Sequence, residues 1–296
     1  MPELPEVETV RRGLAPAMEG AHIRQVRLNR ENLRFAFPKN FVATLEGARI
    51  KALSRRAKYL LCELNNGHTV IMHLGMSGSF RLIEDKAAST PGGFHLARSD
   101  AAKHDHVEFH LVNGDRNLLI VYNDPRRFGF MDLVPTEQLH ESRFLAGLGA
   151  EPTGNSFNAD IIAAMFSGKT APLKAALLDQ RLIAGLGNIY VCEALWRSEL
   201  SPRKPAGRIV NRNGSASKKC DLLATAVREV IAEAIEAGGS TLRDHRLADG
   251  SLGYFQHSFQ VYDREGDDCA KPGCKGTIRR IVQSGRSTFY CPQCQR

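Results

Sequence analysis

The chain has 296 residues, with 40 Lys and Arg against 32 Asp and Glu, a net charge of +8 and a pI near 9.2. A composition of 43% hydrophobic and 24% charged residues is that of an ordinary globular protein, long enough for two domains, and excludes a disordered chain. No apolar run approaches the roughly 18 residues of a membrane span, and the basic surplus favours polyanions, nucleic acid first, as partners. In the opening stretch MPELPEVETV and beyond, Leu4, Val7, Val10, Leu14 and Met18 recur at helical spacing. With Pro5 acceptable in a first turn, this predicts a helix from Pro5 to about Met18. Strand-like stretches follow: HIRQVRL, YLLCEL, TVIMHL, SFRLI, VEFHLV and NLLIVYN, with turn residues such as Asn65-Asn66-Gly67 and Asn113-Gly114 between them. Short strands separated by turns predict a β-sandwich or barrel rather than βαβ units.

Residues 85–103, rich in Ala, Ser and Gly, read as an inserted loop. After Pro135 the pattern turns helical, most clearly in CDLLATAVREVIAEAIEAGG. There Leu222, Ala226, Val230 and Ala234 form one i, i+4 row, and Leu223, Val227, Ile231 and Ile235 the next, before Gly238-Gly239 stops the helix. A polar loop spans Pro202 to Lys219, and no internal repeat is present. Basic character concentrates at the end: residues 271–296 hold six Lys or Arg and no Asp or Glu. The start lacks the basic-then-apolar order of a signal peptide, so a cytoplasmic location is expected. Seven cysteines, an odd count, argue against a disulfide framework.

Four of those cysteines form the strongest motif: Cys269-x4-Cys274, sixteen residues, then Cys291-x2-Cys294. Two close pairs supply four thiolates to a tetrahedral zinc ion and leave no open position, so one structural Zn2+ is expected. A segment this small buries little core, and the metal supplies its folding energy. Within it TIRRIVQSGRSTFYCPQC alternates as a β-hairpin, with Ser284-Gly285-Arg286 at the turn and Arg286 projecting outward. From spacing alone Arg286 is an ordinary exposed cation.

In LIAGLGNIYVCEALW, glycines and Asn188 precede the helical pattern of Ile189, Cys192, Leu195 and Trp196, an arrangement that can meet a phosphate with backbone N–H groups or serve close packing alone. HLGMSGSF sets Met76 among glycines, where a side chain tends to be exposed. NDPRRFGF puts Arg126, Arg127 and Phe128 in a turn. Phe128 there either wedges into a base stack while the arginines hold phosphate, or folds back into the core; the pattern does not choose. Lys58, at the start of a strand in RRAKYLL, is by itself a solvated lysine. At the N-terminus, removal of Met1 ahead of the small Pro2 exposes a secondary amine beside Glu3 and Glu6. An α-amine titrates near 8, so a useful fraction is nucleophilic at neutral pH. Attack on a sugar C1′ gives an iminium ion, and neighbouring carboxylates can shuttle the protons. Taken alone, the acids are better explained as complements to a helix dipole.

Together PELPEVET, RRAKYL, HLGMSGS, KHDH, DPRRFG, GLGNIY, QVYDREG and the cysteine module resemble the formamidopyrimidine-DNA glycosylases over nearly the whole chain. The resemblance implies an α+β multidomain fold. An N-terminal β-sandwich with flanking helices (1–134) is followed by a helix-two-turns-helix domain (135–252) and a zinc-finger β-hairpin (253–296), with DNA between the two halves. It implies a bifunctional glycosylase and abasic-site lyase acting, as a monomer, on duplex DNA that contains an oxidised purine. Enzymes of this kind flip the damaged nucleotide out of the stack. By resemblance Pro2 is the Schiff-base nucleophile, Glu3 the general acid/base, and Glu6 a structural support. Lys58 serves β-elimination and binds phosphate, and Arg286 assists δ-elimination. Met76, Arg126 and Phe128 fill the gap left by the flipped base, and His104, Lys169 and Asn188 contact the DNA backbone. GGSTLRDHRLADGSLGYF, with Arg243, matches the loop that closes on a flipped purine. The C-x4-C spacing departs from the C-x2-C common in the family. The related endonuclease VIII, which acts on oxidised pyrimidines, opens PEGPE, from which Leu4 departs. A non-catalytic zinc-dependent DNA-binding protein would require nothing of Pro2.

Overall fold

The computed structural model describes residues 2–84, 87–89 by backbone alone, 102–154, 156–240 and 255–296. Met1, most of the inserted loop at 85–103, and the stretch 241–254 that carries Arg243 lie outside the described residues. The chain forms two compact units, Met1–Ala146 with Ala237–Tyr254, and Gly147–Glu236 with Phe255–Arg296.

In the first unit the leading helix α1 spans Leu4–Met18. Glu3 is its N-cap and Glu6 its N3 residue, and the two form a reciprocal capping box that satisfies two end N–H groups. Val7, Val10 and Leu14, one stripe of the helix, are buried to 1% exposure or less. Two antiparallel sheets receive that stripe. One runs β2 (Ile50–Arg56), β3 (Tyr59–Leu64), β4 (His68–His73), β9 (Phe130–Pro135). The other runs β1 (His22–Leu28), β7 (Asp105–Asn113), β8 (Arg116–Asn123), β5 (Ser79–Glu84), β6 (Ala87–Ser89). A short helix α2 (Phe41–Leu45) follows β1 in the chain. Leu60 and Cys62 from the first sheet, Phe109 and Ile120 from the second, and Val7 and Leu14 of α1 belong to one continuous core. This is the expected sandwich with a flanking helix.

Among the described residues of this unit, the six expected strands are present with small shifts of their ends, and three others were not anticipated. β2 hides its alternation behind a register shift between Ile50 and Ala52, so Ile50 and Leu53 are buried three positions apart. β9 is an edge strand pairing only with β4, and ends on Pro135, which an edge tolerates. The third, β6, has only three residues.

The second unit contains α3 (Ala159–Phe166), α4 (Leu173–Leu178), α5 (Asn188–Arg197), α6 (Lys218–Glu236) and the hairpin β10 (Arg279–Gln283)–β11 (Arg286–Tyr290). α6 buries Leu223, Val227, Val230, Ile231 and Ala234, as its periodicity predicts. Two positions of the expected rows depart: Leu222, at the edge of the buried stripe, is 45% exposed, and Ile235 is half-buried. The cysteine module does not stand apart from the helices. Cys192 of α5 shares a small core with Val261, Cys269, Ile278, Phe289 and Cys291, and Trp196 packs against it. The Glu193 carboxylate, also on α5, accepts the backbone N–H groups of Gln260, Val261 and Tyr262 at 2.8–3.0 Å. Burial raises the pKa of that carboxyl against the lowering effect of the three bonds.

Candidate active site

At the head of α1, Glu3 and Glu6 are buried to 3% and 1% exposure. Glu6 Oε2 accepts the Glu3 N–H at 2.8 Å, and Oε1 accepts both the N–H and the hydroxyl of Ser240, at 2.9 and 3.1 Å. One carboxylate therefore fixes the backbone at the residue next to Pro2 and ties it to residue 240. Buried charge of this kind persists only where such donors are collected. Pro2 is itself buried beside them.

Lys58 opens β3 from a tight corner. Ala57 adopts a φ of 52°, a left-handed conformation that costs a residue with a side chain on the order of 1 kcal/mol. Arg55, 8% exposed, donates to the Ala57 carbonyl at 3.0 Å and pairs with Glu8 of α1 at 3.2 Å, which braces the corner against the helix. Lys58 is 7% exposed, and its charge acts on a neighbour. Burial first, then Lys58 and Arg34, lower the pKa of His73 to about 4. His73 is therefore neutral at physiological pH; its Nδ1 accepts the N–H of Gly75 at 3.0 Å, and its ring stacks on Phe130 at 5.3 Å.

The loops HLGMSGS and DPRRFG are built around one residue. Asp124, fully buried, accepts the Ser77 hydroxyl and the Arg126 N–H on Oδ1, and the Gly129 N–H (2.8 Å) and the Tyr122 hydroxyl on Oδ2. The Asp124 carbonyl accepts from His106 Nε2 at 2.8 Å, and the Asp124 N–H donates to the His104 carbonyl at 3.0 Å. The loops also interlock sterically. A Cβ on Gly75, whose φ is +62°, would stand 2.4 Å from the backbone of Phe128 and Gly129. One on Gly129 would stand 1.8 Å from the Tyr122 hydroxyl. The result is an exposed trio: Met76 (39%) and Phe128 (43%) project, with the Arg126 guanidinium 4.7 Å from the Phe128 ring centroid. Phe128 does not fold back into the core. Asp124, His106 and His73 went unassigned in the sequence although each lies in or beside a quoted motif; nothing in spacing marks a buried acceptor.

In the second unit, Asn188 begins α5 behind the N-cap Gly187, and its Nδ2 donates to the Ser287 carbonyl at 2.9 Å. Asn188 Oδ1 is buried with no hydrogen-bond partner. Lys174, 1% exposed, donates to the same carbonyl at 2.8 Å and to the Thr288 hydroxyl at 2.7 Å. Two donors from α4 and α5 thus fix the start of β11. Arg286, the first residue of that strand, is exposed. It follows a two-residue turn in which Ser284 and Gly285 have φ of 50° and 73°, the pair of positive values a type I′ hairpin needs. Lys169 is half-buried, and its carbonyl accepts the Gly207 N–H at 2.9 Å.

The thiols of Cys269, Cys274, Cys291 and Cys294 lie within 4.8 Å of one another. Cys269 and Cys294 sulfurs are 3.8 Å apart, and those of Cys274 and Cys291 are 3.6 Å apart. A tetrahedron with Zn–S bonds of about 2.3 Å has S···S edges of about 3.8 Å, so the set fits zinc. The longer x4 spacing closes all the same. Gly276 permits it, since a Cβ there would stand 2.6 Å from the Cys291 sulfur. Outside the four ligands, the Trp196 indole N–H donates to the Cys269 sulfur at 3.3 Å and the Gly276 N–H to that of Cys274 at 3.4 Å.

Comparison with known sequences assigns these pieces. Residues 1–131 match the formamidopyrimidine-DNA glycosylase N-terminal domain, 148–246 the H2TH domain of the same proteins, and 269–296 the zinc finger found in FPG and IleRS. The formamidopyrimidine-DNA glycosylase of Rhizobium meliloti (strain 1021) is 61% identical over 301 residues, covering all of both chains. The chain belongs to the formamidopyrimidine-DNA glycosylase family. The glycosylase of Agrobacterium fabrum (strain C58) is 59% identical, again over the whole of both chains. Among solved structures, the Lactococcus lactis Fpg bound to DNA containing an abasic site has a TM-score of 0.83 at 32% identity, with full coverage of both chains. MutM in complex with DNA containing carbocyclic 8-oxo-G has a TM-score of 0.82 at 33% identity, also with full coverage. The family's zinc finger and the four-thiol cluster together support one structural zinc ion.

Two expectations follow for this glycosylase fold. Asp124→Asn replaces acceptor lone pairs with an NH2 group facing N–H and O–H donors, and should cost about 2–3 kcal/mol. Ser77→Ala, which removes one donor, should cost about 1 kcal/mol. Chemical denaturation measures both. Because His73 is held to about 4 in the fold against 6.5 for the ordinary side chain, the unfolded chain binds more protons between those values. The contribution is therefore intact above pH 6.5 and is lost as pH falls toward 4. His73→Gln should flatten that part of the stability–pH curve relative to the parent chain.

Proposed function

We propose that this chain is a bifunctional DNA glycosylase and abasic-site lyase that removes oxidised purines, formamidopyrimidines and 8-oxoguanine, from duplex DNA. Family membership over the whole length supports it, as do the lesion-containing DNA complexes of its structural neighbours. The observation that carries it furthest is the buried, cross-bonded pair Glu3 and Glu6 beside Pro2. A helix needs no such burial to satisfy its dipole, which acids on the exposed face serve as well.

In this reading Met1 is removed and the Pro2 nitrogen carries the lone pair. The nitrogen attacks C1′ of the damaged nucleotide and the C1′–N9 bond breaks, with Glu3 delivering the proton that the departing base takes up. Loss of the nitrogen's proton and opening of the sugar's C1′–O4′ bond, with O4′ taking up a proton, then leave an iminium at C1′ that acidifies the C2′ hydrogen. Its loss to a base expels the 3′ phosphate by β-elimination, and a second elimination releases the 5′ phosphate. Hydrolysis of the remaining imine returns free Pro2. Glu6 holds the geometry, Lys58 assists β-elimination and binds phosphate, and Arg286 assists δ-elimination. Met76, Arg126 and Phe128 occupy the space of the flipped nucleotide, and His104, Lys169 and Asn188 hold the backbone. We assign catalysis to 1–134, DNA binding to 135–252 and the zinc finger to 253–296. The enzyme acts as a monomer in the cytoplasm, at the nucleoid.

Borohydride trapping tests it. A duplex with 8-oxoguanine opposite cytosine should give a covalent protein–DNA adduct, absent when any residue remains ahead of Pro2. Glu3→Gln should lose base excision by 10²-fold or more while still trapping on a preformed abasic site. Absence of an adduct with the free N-terminus would sink the reading. Preference for a thymine glycol duplex would instead place the chain with endonuclease VIII.

A further inference from the structure

A concave site lies in the helical and zinc-bearing unit, among residues without a role in the chemistry above. It is a pocket of about 420 Å³ whose walls carry Lys204, Arg208, Lys219 and Arg296, with the Ser201 hydroxyl among them and no Asp or Glu in its lining. Its floor is apolar, made by buried Leu200 and Ile209. Nearby cations have found acids: Arg197 pairs with Glu233, and Lys271 with Glu199 at 2.7 Å. Among the described residues, Lys204, Arg208 and Lys219 take part in no ion pair. Lys204, Arg208 and Lys219 are themselves exposed, and like charges gathered around one recess repel.

Local structure does not explain the gathering either. Lys219 stands in the first turn of α6, the end of a helix where a cation is disfavoured by the dipole. The neighbouring short 3-10 turn at Ala206–Ile209 brings Arg208 to the pocket. That turn is also joined to Lys169. The Gly207 N–H donates to the Lys169 carbonyl at 2.9 Å, and a Cβ on Gly207 would stand 3.0 Å from that oxygen. The pocket therefore adjoins a residue assigned to the DNA backbone.

We propose that this pocket is an accessory phosphate site. Lys204, Arg208 and Lys219 neutralise the anion, and Ser201 donates to it. The phosphate comes either from the DNA strand, continuing the backbone track past Lys169, or from solution. The first source rests on the proposed function; the phosphate chemistry does not.

The test uses the full, zinc-loaded chain and the double variant Arg208→Gln/Lys219→Gln, with Lys218→Gln as a control for loss of an adjacent exposed cation. Lys218 is exposed and outside the pocket lining. If the strand supplies the phosphate, the double variant should reduce the slope of log affinity against log salt by about 1 on a long abasic-analogue duplex, and not on one trimmed to the lesion. If solution supplies it, inorganic phosphate should raise the melting temperature of the parent chain and not of the double variant, with slopes unchanged. Borohydride trapping at saturating DNA should be the same in both proteins. Equal slopes together with equal phosphate responses would overturn the proposal, and so would an equal loss in Lys218→Gln. Failure of the parent chain to trap would refute the glycosylase reading while leaving the phosphate titration decisive for the pocket.

Discussion

A carboxylate taken out of water must collect hydrogen-bond donors, and much of this molecule's irregular backbone is organised by that requirement. Glu6, Asp124 and Glu193 are each almost wholly buried, and each gathers backbone N–H groups from segments with no ladder to satisfy them. Glu6 holds the chain at Glu3 and at Ser240, Asp124 holds two loops together, and Glu193 binds residues 260–262 to α5. In each case a rigid buried acceptor fixes backbone that the secondary structure leaves free.

The same economy explains the glycines that matter. Gly75 and Gly129 are required because the loop backbones touch each other and Tyr122, with no room for a Cβ. Gly276 plays the equivalent part beside the Cys291 sulfur. These close approaches let two loops, or two knuckles, converge on a single point. Convergence is what turns Met76, Arg126 and Phe128 into one exposed feature, though they lie about 50 residues apart in the chain.

Much of this was legible in the sequence, unevenly. The sandwich strands with clean alternation, the amphipathic α1 and α6, and the zinc thiols follow from periodicity and spacing, because one buried face or one metal imposes a repeat. β2 was not legible, because its bulge breaks the period, and Leu222 misled because a helical row cannot show where the stripe ends. The proposed site residues were visible chiefly through motif resemblance. Pro2, Lys58 and Arg286 are chemically ordinary until placed. Asp124, His73 and Lys174 escaped because the partners that give them meaning, a turn amide, a neighbouring lysine and a hairpin carbonyl, are set by tertiary contacts.

The indole of Trp196 donates to Cys269 and lies 5.3 Å from the Lys271 ammonium, at the rim of the thiol cluster. It is the chain's single tryptophan. Its emission therefore reports on one locality alone, where a thiolate bound to a cation and a free thiol present very different fields. The fold thus carries an intrinsic optical probe of its metal state, readable without label or substrate.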